Sequence, residues 1–217
     1  NDFNENFSEA REVFQEIEDV TKLHVRKIIS ENQEDKLNQT KYTQISIFAA
    51  SMAIYNTLLK QIGFETINPK FALGHSLGEY SALVASNAIS LENAASLIKL
   101  RGELMNSAIE PNLSGMAAII GKNALLVNEI INENNLDIEI ANDNSPLQVV
   151  VSGLMENIKL AENIFTANGI KRYVILNVSA AFHSKYMKIA QDKLIYEIEK
   201  ISFNELKIPI ISNYDAS

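Results

Sequence analysis

The chain has 217 residues, 47% of them hydrophobic, with a formal net charge of −8 and no cysteine. That size and apolar content support one large domain, or a domain carrying a smaller insert, and argue against disorder. The acidic balance excludes nucleic-acid binding driven by bulk charge, and the missing cysteine excludes disulfides, thiolate metal sites and a thiol nucleophile.

In chain order, residues 1–63 read as helical. Ser8 is placed to cap a segment in which Val13, Phe14 and Ile17 share one face. Residues 31–41 are polar and read as a loop or weak helix, and 43–62 as a strong helix ended by Gly63. The longest uncharged run, 42–59, carries Thr43, Gln44, Ser46, Ser51, Asn56 and Thr57, which predicts a buried helix and not a membrane span. Residues 71–73 read as a short strand, 77–86 as the helix after it, and 91–108 as a further helix closed near Pro111.

The pattern then changes. Residues 116–121 read as a strand, 123–134 as a helix, and 138–141 and 148–152 as strands joined across the turn-forming NDNSP. A helix over 155–167 and a strand over 172–178 complete a β-α-β-β-α-β order, the split βαβ arrangement. A helix over 184–201 and a strand over 208–212 close the chain. Outside the insert this leaves only two strands for many helices, which predicts flanking strands beyond both ends of this sequence.

Gly74-His75-Ser76-Leu77-Gly78 follows the apolar Phe71 and Leu73 and precedes a helix. This is a G-x-S-x-G turn, in which a serine sits on a tight strand-to-helix bend and close backbones leave no room for a Cβ at the flanking glycines. The serine then lies at a helix N-terminus, where the Leu77 amide can face an oxyanion. The structural alternative is a plain strand–turn–helix with an incidental serine.

A serine nucleophile needs a base, and the chain has three histidines. His75 adjoins the serine and is expected to point elsewhere and pack. His24 lies in KLHVRKI and reads as a surface residue. His183 follows a predicted strand and small residues in NVSAAFHS, so elimination favours it as the base. An orienting acid is less clear. Asp143 is one candidate, although an Asx-turn role is preferred, and a backbone carbonyl serves equally to hold an imidazole tautomer.

In SLIKLRGELM, Leu97, Leu100, Arg101, Leu104 and Met105 fall on one helical face. An arginine on an apolar face is costly unless an anion meets it, so a substrate carboxylate competes here with a structural salt bridge or a snorkelling side chain. No P-loop, G-x-G-x-x-G or HExxH occurs, so neither a nucleotide cofactor nor a metal is expected.

The segments GHSLGEYSALVA (74–85), LRGELM (100–105), GMAAIIG (115–121), NSPLQVVVSG (144–153) and AFHS (181–184) together resemble the malonyl-CoA:acyl carrier protein transacylases. The order and spacing match over essentially the whole chain. The resemblance implies an α/β-hydrolase-like large subdomain, residues 1–114 and 182–217, with a ferredoxin-like small subdomain over 115–181. It implies transfer of malonyl from malonyl-CoA to acyl carrier protein through a malonyl-serine ester, in fatty acid biosynthesis and without a cofactor. Position by position, Ser76 corresponds to the nucleophile, His183 to the base, Arg101 to the clamp on the malonyl carboxylate, Leu77 to an oxyanion donor and Met105 to a pocket wall. Phe182 matches the bulky residue of malonyl-selective relatives. The family's Gly- and Gln-containing oxyanion loop and its C-terminal segment find no counterpart here, in line with the strand count. A cytoplasmic monomer without membrane or nucleic-acid partners is expected. Two other readings stay open. One is a serine esterase or thioesterase using Asp143. The other is a non-catalytic carrier-docking domain, for which Lys171, Arg172, Lys185 and Lys188 would form a basic mouth.

Overall fold

The computed structural model describes residues 2–31, 33–110 and 112–217. Along the chain it forms α1 (Asp2–Asn6), α2 (Ser8–Thr21), α3 (Val25–Glu31), α4 (Thr40–Ile62), α5 (Phe64–Ile67), β1 (Ala72–Leu73), α6 (Gly78–Ala85) and α7 (Leu91–Ser107). Then follow β2 (Ser114–Ile120), α8 (Ala124–Glu133), β3 (Ile138–Ser145), β4 (Gln148–Leu154), α9 (Met155–Ala167), β5 (Arg172–Ile175), α10 (Lys188–Ile198) and β6 (Ile210–Ile211). Pro111, expected to close a helix, lies outside the described residues. Two compact units emerge, Asn1–Glu103 with Leu194–Ser217, and Leu104–Lys193.

In the first unit the helices bury the stripes their sequences encode. Ala10, Val13, Phe14 and Ile17 of α2 pack with Ile45, Phe48, Ala49, Met52 and Ala53 of α4, and with Ala94, Ala95 and Ile98 of α7. The i, i+3, i+4, i+7, i+8 spacing on α4 is that of one buried helical face. Ser8 is the first residue of α2 and not its cap. Phe7 occupies the cap position without a side-chain bond, and the Ser8 hydroxyl donates to Glu9 instead. Strands β1 and β6 pair in parallel, with Ala72 opposite Ile210 and Leu73 opposite Ile211. Their C-terminal ends therefore lie side by side.

The second unit is the β-α-β-β-α-β module. Its four strands are ordered β3-β4-β2-β5 and all pair antiparallel. This is the ferredoxin-like arrangement, and the fold as a whole is α/β. Ala117, Ile119, Val149 and Val151 face Val127, Ile130, Ile158, Ala161 and Phe165 across the sheet–helix core. The alternation of inward residues on β2 and β4 follows the two-residue period of a strand. NDNSP is not a loop. Strand β3 runs through Asn142, Asp143, Asn144 and Ser145, paired to β4 with two register shifts. Pairing to a full-length β4 outweighs the local turn preference of Asn and Asp.

Candidate active site

The elbow lies in the first unit, directly after β1. A Cβ on Gly74 would fall 2.0 Å from the Gly78 carbonyl carbon and oxygen and 2.6 Å from the Glu79 nitrogen. These are backbone atoms, so nothing can yield, and glycine is obligatory at 74. Gly78 differs from expectation. Apart from its chain neighbours and its own helix, nothing among the described residues stands within 4 Å of a Cβ built there, so the tight approach is one-sided. Ser76 has φ 52, a left-handed conformation that is strained for a residue with a Cβ. The amides of Gly78, Glu79 and Tyr80 donate to the carbonyls of His75, Ser76 and Leu77. Leu77 begins the helix with φ −60 and ψ −26, ahead of the amide-rich first turn of α6. The Ser76 amide donates to Asn213 Oδ1, and the Asn213 amide donates to Glu79 Oε1 at 3.3 Å.

Arg101 reaches the same serine from α7. Its neighbour Gly102 allows the approach: a Cβ there would meet Lys41 Cα, in the first turn of α4, at 2.8 Å. Gln44 lies three residues further along α4, on the stripe that continues to Phe48 and Met52, and is 5% exposed. Arg101 Nη1 donates to Gln44 Oε1, and Nη2 donates to Ser76 Oγ at 2.9 Å. The guanidinium carbon lies 6.0 Å from the Tyr80 ring centroid. Burial pushes the Arg101 pKa below its ordinary value, with Tyr80 acting the other way. It remains a cation, since guanidinium is not deprotonated in proteins. Burial also raises the Tyr80 pKa, keeping the phenol neutral. A cation held by a neutral amide keeps its charge uncompensated for an incoming carboxylate.

The second unit positions His183 and Met105. His183 is exposed and has φ 55, again left-handed. The segment before it is anchored: the Ala181 amide donates to Ser114 Oγ at 2.9 Å, and Ser184 Oγ donates to the Ala181 carbonyl at 2.6 Å. Ser184 also caps the short 3-10 turn Lys185–Met187. Met105 and Phe182 belong to one apolar cluster with Met116, Ala118, Val150 and Met187. Thus the residue before His183 is held by packing while His183 itself is exposed.

The structure thus groups Ser76, Leu77 and Arg101 in one unit, and Met105, Phe182 and His183 in the other. His75 and His24 are both exposed. Asp143 is exposed on the edge strand β3. Lys185 is ion-paired to Asp137 while its amide donates to Glu139, and Lys188 pairs with Asp192 at 2.7 Å. These two cations of the expected basic mouth therefore have acidic neighbours. Among the described residues no group of three or more His, Cys, Asp or Glu stands where it could hold a metal ion, and no helix is long and apolar enough to cross a membrane. Sequence reasoning missed Gln44 and Asn213. Gln44 carried a signal, a polar residue on the buried stripe of α4. Asn213 carried none, since its partner is 137 residues away.

Residues 2–217 match the acyl transferase domain family. The chain is 36% identical over 209 residues to the polyketide biosynthesis malonyl CoA-acyl carrier protein transacylase PksC of Bacillus subtilis, covering 95% of this chain and 70% of that protein. It is 35% identical over 211 residues to the malonyl CoA-acyl carrier protein transacylase of the same organism, covering 95% of this chain and 65% of the relative. Among solved structures it is similar, with a TM-score of 0.92 and 34% identity, to a malonyl-transacylase in complex with its type II polyketide synthase acyl-carrier protein, over 99% of this chain and 69% of that one. The chain thus spans about two thirds of the length of these relatives.

Proposed function

This chain is an acyltransferase domain belonging to the family of malonyl-CoA:acyl carrier protein transacylases, and we propose that it moves malonyl from coenzyme A to the phosphopantetheine thiol of acyl carrier protein through an ester on Ser76. The observation that carries this reading is the 2.9 Å contact between Arg101 Nη2 and Ser76 Oγ. A guanidinium beside the nucleophile suits an acyl group whose carboxylate lies one methylene from the reacting carbonyl, as in malonyl. Arginine presents a planar fork that matches a carboxylate bidentately.

In the proposed reaction His183 takes the Ser76 proton as Oγ attacks the thioester carbonyl. The Leu77 amide stabilises the resulting oxyanion. The carbon–sulfur bond breaks, and coenzyme A leaves as a thiol with the proton from His183. The carrier thiol then gives its proton to His183 and attacks the ester, and Ser76 recovers the proton as the malonyl thioester departs. Met105 and Phe182 wall the acyl pocket, and the Phe182 ring disfavours a branch on the α-carbon. Residues 1–114 with 182–217 would form the large subdomain and 115–181 the small one. The protein acts as a cytoplasmic monomer supplying fatty acid biosynthesis. A second reading, malonyl supply to a polyketide carrier, is favoured by the likeness to the Bacillus subtilis polyketide relative.

Intact-mass measurement after brief exposure to malonyl-CoA tests the proposal. One malonyl increment on Ser76 is expected, absent in Ser76→Ala and slowed in His183→Ala. An increment on another residue, or none, would overturn it.

A further inference from the structure

We propose that Asn213 is a positioning residue for the nucleophile, fixing the left-handed backbone of Ser76 from the turn that follows the neighbouring strand; the inference rests on the acyl-serine reading above. Three observations lead to it. First, Ser76 occupies a conformation, φ 52, that costs a non-glycine residue on the order of 1–3 kcal/mol and persists only when surrounding contacts over-determine it. Gly74 explains why the bend can close, and the Ser76 carbonyl accepts from the Glu79 amide at 3.3 Å.

Second, the Ser76 amide donates to the Asn213 side chain at 2.5 Å. Third, Asn213 is itself tied down, because its own amide donates to Glu79 Oε1 in the first turn of α6. The asparagine thus bridges the residue at the top of the bend and the helix that follows it. The topology makes this possible. Strands β1 and β6 are parallel neighbours in register, so Ser76, three residues past β1, and Asn213, two residues past β6, emerge at the same sheet edge. Catalytic groups of open parallel sheets collect at that carboxyl edge.

The clamp acts on geometry and not on chemistry. The Oγ direction and the Leu77 amide direction both follow from the Ser76 backbone torsions. Loss of the acceptor lets Ser76 relax toward an ordinary conformation, which turns both away from the reacting carbonyl. Misplacement of that kind costs up to about 100-fold in rate.

The test compares single-turnover malonylation of Ser76 by malonyl-CoA in the parent chain, Asn213→Ala and Asn213→Asp, alongside thermal unfolding of each. Asn213→Ala is expected to lower the maximal acylation rate about 10- to 100-fold while half-saturation by malonyl-CoA moves less than about threefold. Asn213→Asp keeps an acceptor at the same reach, and the maximal rate is expected to return to within about threefold of the parent. An unchanged rate in Asn213→Ala overturns the proposal. So does an equal rate loss in both variants that tracks only the fraction unfolded. A parent chain that takes no malonyl at all counts against the acyl-transfer reading instead. The clamp is then read with a serine-directed sulfonyl fluoride, whose reaction at Ser76 slows in Asn213→Ala if the proposal holds and is unchanged if it fails.

Discussion

Arg101 Nη2 donates to Ser76 Oγ across 2.9 Å, joining a helix residue to an elbow residue 25 positions earlier in the chain. The contact puts a permanent positive charge beside the oxygen proposed to carry the acyl group. A carboxylate delivered with that acyl group would replace the hydroxyl as the partner of Nη2, so the arginine would sense the substrate's far end.

Arg101→Ala is therefore expected to lower kcat/KM for malonyl-CoA far more than for acetyl-CoA. A charge-assisted hydrogen bond contributes about 1.5–3 kcal/mol, which corresponds to a discrimination of roughly 10- to 100-fold. Steady-state competition between the two thioesters measures it. Equal losses on both substrates would show that the arginine supports the elbow and does not read the carboxylate.

Gln44 sets the arginine's other arm. It is 5% exposed on α4 and accepts from Nη1. Gln44→Leu removes that acceptor at a part-buried cation, and the expected cost is about 1–3 kcal/mol of stability in urea unfolding. Gln44→Glu is the sharper probe. It keeps an acceptor but supplies a permanent anion, so the chain should stay folded while malonyl preference over acetyl falls. Retained malonyl preference in Gln44→Glu would mean that the guanidinium charge is not what selects the substrate.

These two residues also mark how far the sequence could be read. The α2 stripe of Val13, Phe14 and Ile17, the boundaries of α9 and the β-α-β-β-α-β order follow from periodicity, because each is a local pattern that burial rewards in place. Arg101 was legible for the same reason, as a charge on an apolar helix face. Gln44 was legible in principle and overlooked. Asn213 was not, because its contact with Ser76 depends on the parallel pairing of two-residue strands whose partners lie far apart in the chain. NDNSP shows the opposite failure: turn-forming residues that the ladder with β4 holds extended.

The two elbow glycines should respond differently. Gly74→Ala places a Cβ 2.0 Å from the Gly78 backbone, and neither side can move without opening the bend. Loss of soluble folded protein, or a destabilisation above about 4 kcal/mol, is expected, which is the range reserved for such defects. Gly78→Ala meets open space in the first turn of α6 and is expected to change stability by less than about 1 kcal/mol, with a slight gain from helix propensity. Thermal melts of the two variants side by side decide the matter. Comparable losses in both would contradict the one-sided approach.

The small unit's core gives a packing test. Phe165 is fully buried on α9, stacked on Tyr173 with ring centroids 5.7 Å apart. The Tyr173 hydroxyl in turn donates to the Ile158 carbonyl at 2.8 Å. Phe165→Ala should cost about 3–5 kcal/mol. Phe165→Leu, which keeps most of the volume, should cost less than half of that. Near-neutral behaviour of the alanine variant would mean the cavity collapses without penalty, against the close packing of β4, β2 and α9.

A last prediction concerns pH and the first unit. Burial, with a smaller push from Glu92, raises the Glu16 pKa above its ordinary value of 4.5. A carboxyl that binds its proton more tightly when folded favours the folded state most below that ordinary value. The advantage is lost as pH rises past 4.5 and through the raised value, so at neutral pH the ionised Glu16 costs stability. Glu16 is largely exposed, which screens the effect, and a gain of about 0.2–0.5 kcal/mol is expected for Glu16→Gln at pH 7. Urea unfolding at pH 7 and again near pH 4 separates the causes. The gain should shrink at the lower pH, where the Glu16 carboxyl is largely protonated in both states. The part due to Glu92 should also fade in about 1 M salt, where the screening length drops to about 3 Å. A gain that stays constant across both pH values would assign it to helix propensity in α2 and not to the charge.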